Sequence, residues 1–310
     1  MQEKTFSSSF ARSHPNLNFQ LIALDIDGTL LNEHKEITSA NQEALRIFQE
    51  AGGKVVLTSG RIPRSIFWHI QLLDLNTPYA ALNGAVIGNG EQITSGVAFS
   101  RGVVLDFLAY CQSHDLYCHI YSDQSMVFDT PAHWNEHWAE RNLARLEGQQ
   151  PPTEWVRRVR EYCPALRVDD LVEWVKKTRE PIYKLAVLSE NSLLETARDL
   201  GQIPGLSVTS SDPRNLEICP ANVSKGAALR QIAELLAIRP EQIMAVGDNY
   251  NDLSLFEVAG LSVAMGNAPE RVKQQAHVVT KSNCESGVAW AIHHWALGKA
   301  CSIHFSVGQK

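Results

Sequence analysis

Apolar residues run without interruption through Phe19–Leu24 (FQLIAL) and stop at Asp25-Ile26-Asp27-Gly28-Thr29. A continuous apolar run closed by a polar turn predicts a strand buried on both faces, as in a parallel sheet. Thr38–Ala51 follows with apolar positions at helical spacing (Ala44, Leu45, Ile47, Phe48), Thr38 or Ser39 to cap it, and Gly52-Gly53 to end it. A second strand, Lys54–Leu57, ends at Thr58-Ser59-Gly60-Arg61; a helix over about 63–73 then leads to a third, Tyr79–Leu82, which ends at Asn83-Gly84. This β-α-β-α-β order predicts an α/β fold, with right-handed crossovers and a doubly wound, mostly parallel sheet.

The pattern then changes. Ala85–Val97 reads as two short strands around Gly88-Asn89-Gly90, a hairpin signal. Helical and hairpin-like stretches continue to Ile218, and the segment 131–180 is polar and rich in Trp, Arg and Glu. After Val223-Ser224-Lys225 the α/β alternation resumes, with a strand at Ile243–Val246 that runs into the polar turn Gly247–Asp252. An α+β block between two α/β stretches predicts an inserted second domain. The expected organisation is a polar tail over 1–18, a core from 19–86 and 222–298, an inserted cap over 87–221, and a tail over 299–310.

Composition narrows the class. The chain has 310 residues, is 44% hydrophobic and 20% charged, and carries a formal charge of −6. Those proportions fit a globular protein of about two domains. The acidic balance argues against nucleic acid as a partner, because phosphate backbones recruit basic surfaces. It leaves room for one positive pocket that takes an anion. No apolar stretch reaches the ~18 residues of a membrane helix, and the first residues lack the apolar core of a secretory signal. The six cysteines are scattered without a CxxC pair, which predicts a reduced, cytoplasmic protein rather than a disulfide or zinc framework.

Ligands of open α/β sheets gather at the carboxyl ends of the strands. Asp25, Asp27, Thr58, Ser59, Asn83, Asp248, Asn249, Asn251 and Asp252 all fall there. Four carboxylates at one edge repel unless a cation or raised pKa values relieve them. The set is all hard oxygen, without His or Cys, which suits Mg²⁺, with a substrate phosphate completing its shell. Asp25 and Asp27 stand on one face of a strand end and suit a nucleophile paired with a proton carrier. Taken singly, Asp27-Gly28 is also a tight turn, Ser59 a helix cap, and Asp248 a cap for the helix that follows. Ser59 and Gly60, at a strand-to-helix turn, could cradle a phosphate oxygen. Lys225 follows the cap residue Ser224 and so sits at the positive end of a helix dipole, where an anion in front would stabilise it; a solvated surface lysine is the plain alternative.

Other candidates carry less. His133 and His137 have i,i+4 spacing but no third zinc ligand. Trp134, Trp138, Trp155 and Trp174 read as core of the insert. Arg141, Arg145, Arg157 and Arg158 suit either an anionic leaving group or a solvated helix face.

Together, Asp25-Ile26-Asp27-Gly28-Thr29-Leu30, Ser59-Gly60-Arg61, Lys225 and Gly247-Asp248-Asn249-Tyr250-Asn251-Asp252 resemble the four ordered motifs of the haloacid dehalogenase superfamily. They are most similar to its Cof-type phosphatases with a large α/β cap. The likeness extends to Asn83-Gly84-Ala85, Leu216-Glu217-Ile218 and Val223-Ser224-Lys225-Gly226, with the insert alike only in layout. The resemblance implies a Mg²⁺-dependent phosphomonoester hydrolase acting on small phosphorylated metabolites. Asp25 would form an aspartyl-phosphate and Asp27 would serve as general acid and base. Ser59, or less fittingly Thr58, would hold a phosphoryl oxygen, together with Gly60, Arg61, Asn83, Gly84 and Asn251. Lys225 would neutralise the phosphoryl group. Asp25, the backbone oxygen of Asp27, Asp248 and Asp252 would surround the metal, with Asp252 acting directly or through water. The same residues would serve a phosphotransferase or mutase, or a specialised sugar-phosphate phosphatase. A non-catalytic phospholigand-binding protein would need a missing nucleophile or metal ligand, and none is missing. The sequence leaves the substrate and the oligomeric state open.

Overall fold

A computed structural model describes residues 17–135, 143–148 and 160–298. His137, Trp138, Arg141, Trp155, Arg157 and Arg158 lie outside the described residues, as do residues 1–16 of the tail expected over 1–18 and the tail expected over 299–310; Leu17 and Asn18 instead pair with Leu297 and Ala296. The strands are β1 (Leu21–Asp25), β2 (Glu36–Ile37), β3 (Lys54–Thr58), β4 (Tyr79–Ala81), β5 (Val86–Asn89), β6 (Gln92–Gly96), β7 (Tyr117–Tyr121) and β8 (Met126–Phe128). They continue with β9 (Arg145–Leu146), β10 (Ala165–Arg167), β11 (Lys184–Leu188), β12 (Leu206–Asp212), β13 (Asn215–Pro220), β14 (Ile243–Gly247), β15 (Leu261–Ala264) and β16 (Val278–Val279).

One sheet has eight strands in the order β16-β15-β14-β1-β3-β4-β5-β6. From β16 to β4 every pairing is parallel; β5 and β6 add antiparallel to the edge. The alternation of β1 shows why it needs cover on both sides. Ile22 and Leu24 pack in one cluster with Phe48 of the helix Ser39–Glu50, while Leu21 and Ala23 pack in another with Leu229 and Ile232 of the helix Lys225–Leu235. A strand that buries both faces has nothing polar to show until its end. The helices begin where the sequence predicted caps: Thr38 accepts from the Asn41 amide, and Ser224 from the Ala227 amide.

The expected start of the insert, residue 87, does not coincide with the sheet pairing. The hairpin β5–β6 hydrogen-bonds to β4 and extends the large sheet, so the chain leaves that sheet only after Gly96. An antiparallel hairpin reads as a change of domain in sequence, yet it is a common way to finish the edge of a parallel sheet.

The second sheet runs β10-β8-β7-β11-β13-β12 and is mostly antiparallel. Its apolar face (Ile120, Val127, Leu185, Val187, Leu216, Ile218) is covered by the helices Arg101–Ser113, Leu171–Lys177 and Leu194–Leu200. The fold is therefore a doubly wound α/β core with an inserted α+β cap. No helix among the described residues is long and apolar enough to cross a membrane.

One close contact positions the site described below. The Gly226 amide donates to Ser254 Oγ at 3.1 Å, and a Cβ on Gly226 would run into the Ser254 carbonyl oxygen. Only glycine lets the start of the helix Lys225–Leu235 lie this close to the helix Leu253–Phe256. Gly226→Ala should lower the unfolding free energy by about 1–3 kcal/mol through overpacking, read from urea denaturation. A loss well under 1 kcal/mol would show that the two helices separate freely.

Candidate active site

Because Ser224 is the helix cap, Lys225 is the first helical residue, and it is 1% exposed. Its Nζ donates to Asp25 Oδ1 and to Asp252 Oδ1, each at 2.6 Å. Asp25 closes β1, and Asp252 follows β14, which pairs directly with β1. The other oxygen of Asp252 accepts the backbone amides of Asp248 and Asn249, both at 2.9 Å. The turn is thus capped from its far end by Asp252 and from its start by Asn249, which accepts from the Tyr250 amide. Asp248 does not take the capping role open to it when read singly: Thr29 Oγ1 donates to it at 2.8 Å, and it joins the acidic cluster instead. A Cβ on Gly28 would collide with the Asp248 carboxylate, so this loop can approach only as glycine.

Carboxylate oxygens of Asp25, Asp248 and Asp252 lie within 4.8 Å of one another. One ammonium faces three carboxylates, and the balance shows in their acidities. Burial raises Asp25 well above the ordinary carboxyl range; Lys225 opposes that rise, and Asp252 and Asp248 add to it. Asp248 is pushed up to about 7 by burial and by Asp252. Burial also works against the charge on Lys225, but Asp25 and Asp252 more than offset it and raise its pKa. Asp25 and Asp248 each keep one oxygen that accepts no hydrogen bond among the described residues. Hard, under-compensated oxygen donors fit a divalent cation. Asp252 already accepts from three donors, which fits a supporting role better than a direct ligand.

Asp27 points elsewhere. Arg61 grips it through both arms, Nε to Oδ2 at 2.6 Å and Nη2 to Oδ1 at 2.7 Å, and Lys35 Nζ adds a contact at 2.8 Å. Burial alone would raise Asp27; Arg61 and Lys35 overwhelm it and hold the carboxyl far below the usual range. The carboxylate is nonetheless 42% exposed, so water screens part of the pairing. Arg61 itself is buried and backed by His69. The His69 Nδ1–H donates to the Ser65 carbonyl at 2.6 Å, which leaves Nε2 to accept from Arg61 Nη1 at 3.4 Å. Burial, then Arg61, pushes His69 down to about 3, so it stays neutral.

The turn after β3 faces the same space. Ser59 is buried, its Oγ accepting from the Arg61 amide at 3.3 Å. Thr58 is turned inward, donating to the Leu24 carbonyl at 3.4 Å. Leu82, Asn83 and Gly84 adopt left-handed φ of 50°, 57° and 93° in succession. That bend costs of order 1–2 kcal/mol at Leu82 and aims Asn83 across the seam between the sheets. Asn83 Oδ1 accepts from Asn251 Nδ2 at 3.2 Å, and its Nδ2 donates to Glu217 Oε2 at 3.0 Å. Gly84 packs rather than binds: a Cβ there would enter the Ser224 carbonyl.

Lys184 and Glu217 come from the polar face of the second sheet, and neither was foreseen as a site residue. Lys184 Nζ donates to Glu217 Oε1 at 2.8 Å and to the Gly60 carbonyl at 2.6 Å. Against burial, Lys184 and Asn83 lower Glu217, while Glu217 raises Lys184. A Cβ on Gly60 would sit 3.0 Å from Asn83 Oδ1 and 3.1 Å from Glu217 Oε1, so this glycine admits the cap residues. Lys35 and Thr29 were missed as well. The available signal was a lysine in an apolar strand (YKLAVL) and a glutamate in another (NLEIC). Asp25, Asp27, Lys35, Ser59, Gly60, Arg61, Lys184, Glu217, Asn249 and Asn251 line one cavity of about 310 Å³.

An acidic, lysine-anchored site at the carboxyl edge of a doubly wound sheet, covered by a second sheet, is the layout of a capped α/β enzyme. The chain belongs to the haloacid dehalogenase-like hydrolases, whose family model matches residues 22–292. It is 32% identical over 286 residues to a 5-amino-6-(5-phospho-D-ribitylamino)uracil phosphatase of Bacillus subtilis, covering 90% of this chain and 98% of that protein. It is 29% identical over 281 residues to a pyridoxal phosphate phosphatase of Escherichia coli, covering 88% and 97%. Among solved structures, a haloacid dehalogenase-like hydrolase from B. subtilis superposes with a TM-score of 0.76 at 28% identity, covering 89% and 99%.

The acidic cluster predicts how stability depends on pH. Asp248 is near 3.8 when unfolded and about 7 when folded. Between those values the folded state binds the extra proton, so metal-free stability should fall as pH rises through that window. A divalent cation should reverse this. At 100 times its Kd it adds about 2.7 kcal/mol, a Tm gain of several degrees that is largest at and above pH 7. Asp248→Asn should abolish the gain in a thermal melt with and without MgCl₂; an equal gain in that variant would remove Asp248 from the cation site.

Proposed function

We propose that the protein is a Mg²⁺-dependent phosphomonoester hydrolase for small phosphorylated metabolites, acting through an aspartyl-phosphate at Asp25. The observation that carries this is the Lys225 ammonium held between Asp25 and Asp252 beside Asp248. It gives Asp25 one oxygen fixed by Lys225 and another free to attack. The relatives named above act on phosphorylated metabolites, which supports the same substrate class here. Residues 17–96 and 221–298 would form the catalytic core, and 97–220 the cap.

Asp25 and Asp248, with the backbone of Asp27 and support from Asp252, would hold the cation. When bound, Mg²⁺ screens the repulsion between the Asp25 carboxylate and a phosphate dianion. The other parts belong to the chain. Ser59 and the amides of the turn after β3 would take phosphoryl oxygens. Lys225 favours the ionised form of Asp25 against burial and opposes the charge of the phosphoryl group. Asp25 forms a bond to phosphorus as the ester oxygen departs. Asp27 passes that oxygen a proton, then accepts one from the water that cleaves the aspartyl-phosphate. An arriving dianion competes with Asp27 for Arg61 and Lys35. That loosens the ion pairs that depress its pKa and lets the carboxyl carry the proton. Cap residues exclude bulk water over the reacting atoms.

Purified protein with MgCl₂ should release phosphate from a generic aryl phosphate, and EDTA should stop it. Asp25→Asn should lower kcat by at least about 10³-fold, on the scale of losing a nucleophile, when assayed below its own, lower melting temperature. Retained turnover in that variant would displace Asp25 from the nucleophile's role.

A further inference from the structure

Five consecutive residues of the insert, 143–147, are fastened to the core. Leu143 packs against Trp68 of the helix Pro63–Leu72, and the Trp68 indole N–H donates to the Ala144 carbonyl at 2.8 Å. Ala144 is fully buried in the main core cluster, and Leu146 packs against the same cluster. β9 pairs in parallel with β2, Arg145 beside Glu36 and Leu146 beside Ile37. The Glu147 amide donates to the Ile37 carbonyl at 3.0 Å. Its Oε2 accepts the Ser39 amide at 2.7 Å and the Ser39 hydroxyl at 2.8 Å. Arg145, open in sequence to an anionic leaving group or a solvated helix face, does neither: it sits on a strand and pairs with Glu36 at 3.1 Å.

The core strand held in this way follows directly on a residue of the site. Lys35 immediately precedes β2, lines the catalytic cavity, and reaches Asp27 Oδ1 through its Nζ at 2.8 Å. Its φ of 56° is left-handed, a conformation that a residue with a Cβ keeps only when its surroundings enforce it. Two hydrogen bonds do so. From within the loop, the Lys35 amide donates to the Asn32 carbonyl at 3.1 Å; from the insert, the Arg145 amide donates to the Lys35 carbonyl at 3.1 Å. A long, partly exposed lysine has many rotamers. Fixing the backbone beneath it narrows where its ammonium can go, and one carboxylate oxygen of Asp27 lies within that reach.

Resting on the phosphatase reading above, we propose that residues 143–147 are a strap through which the insert positions Lys35, with Arg145 and Glu147 as the positioning residues. The positive charge facing Asp27 and the arriving phosphate is then in place only while the insert is docked on the core. Arg145 acts through its amide on the Lys35 carbonyl, and Glu147 anchors the strap to the start of the helix Ser39–Glu50.

The test is a double-mutant cycle on kcat/KM for p-nitrophenyl phosphate with MgCl₂, in chains with and without Lys35. Lys35→Ala should lower kcat/KM about tenfold. Arg145→Pro deletes the amide that holds Lys35 and should lower it about three- to tenfold. Glu147→Ala should lower it about threefold, and Glu147→Gln, still able to accept from Ser39, should restore most of that loss. Made on top of Lys35→Ala, Arg145→Pro and Glu147→Ala should each cost less than about twofold more, because the group they position is already gone. Thermal melts establish that each variant is folded at the assay temperature; should Arg145→Pro fail to fold, the two Glu147 variants decide. Strap variants that lose activity equally with and without Lys35, or that lose none in either chain, would overturn the proposal, as would unchanged kcat/KM in Lys35→Ala. Those results leave the phosphatase reading intact. Wild-type protein that releases no phosphate from the aryl ester would instead overturn the phosphatase reading beneath the proposal.

Discussion

A single buried ammonium organises this molecule. Lys225 is removed from water, and the effective cost of that is several kcal/mol unless close anions repay it. Asp25 and Asp252 do so at 2.6 Å each. The three residues come from the end of β1, the start of a helix and the turn after β14, and Lys225 lies 200 positions from Asp25 in the chain. Folding must therefore align β1 with β14 in register, seat the helix by its serine cap, and allow close approach at Gly226. Loss of either carboxylate would leave an uncompensated buried charge, an error worth roughly 3–5 kcal/mol. The site and the core are one construction.

That arrangement divides the acids by environment. Asp252 is saturated by Lys225 and two amides and acts as scaffold. Asp25 and Asp248 keep free oxygens and raised pKa values, the condition of ligands awaiting positive charge. Asp27, two residues from Asp25, is pulled the opposite way by Arg61 and Lys35. Two carboxyls on one strand end with acidities driven apart is the pattern expected where one is to attack and the other to move protons. The cap contributes to the same balance. Lys184 and Glu217 arrive as a mutually neutralised pair, so closing the cap over the core adds hydrogen bonds to Gly60 and Asn83 without adding net charge beside Asp25.

The parallel core was legible in the sequence because a strand buried on both faces must be apolar throughout and must become polar where it ends. The run from Phe19 to Thr29 states both the strand and the place of its chemistry. Ser224 likewise announced a cap, and with it the unusual position of Lys225. The hairpin at β5–β6 was read into the insert because strand pairing is a long-range property that local alternation does not carry. Local spacing left Asp248 open to a capping reading beside its place in the acidic cluster, because Thr29 and Asp252, which decide its orientation, are contacts that spacing does not show. Lys184 and Glu217 were not foreseen as site residues. One charged residue in an apolar strand is compatible with an exposed edge, and only the pairing of β11 with β7 and β13 turns those side chains toward Gly60.

The central claim is that Asp25, ionised and held by Lys225, takes the phosphoryl group. Acid-quenching the enzyme during turnover, reducing it with borohydride and mapping the product by mass spectrometry tests this directly, because an acyl phosphate is reduced to an alcohol at the residue that carried it. The account predicts homoserine at position 25 and nowhere else, and none in Lys225→Met. Reduction at another aspartate, or full turnover with no reducible acyl phosphate, would contradict it.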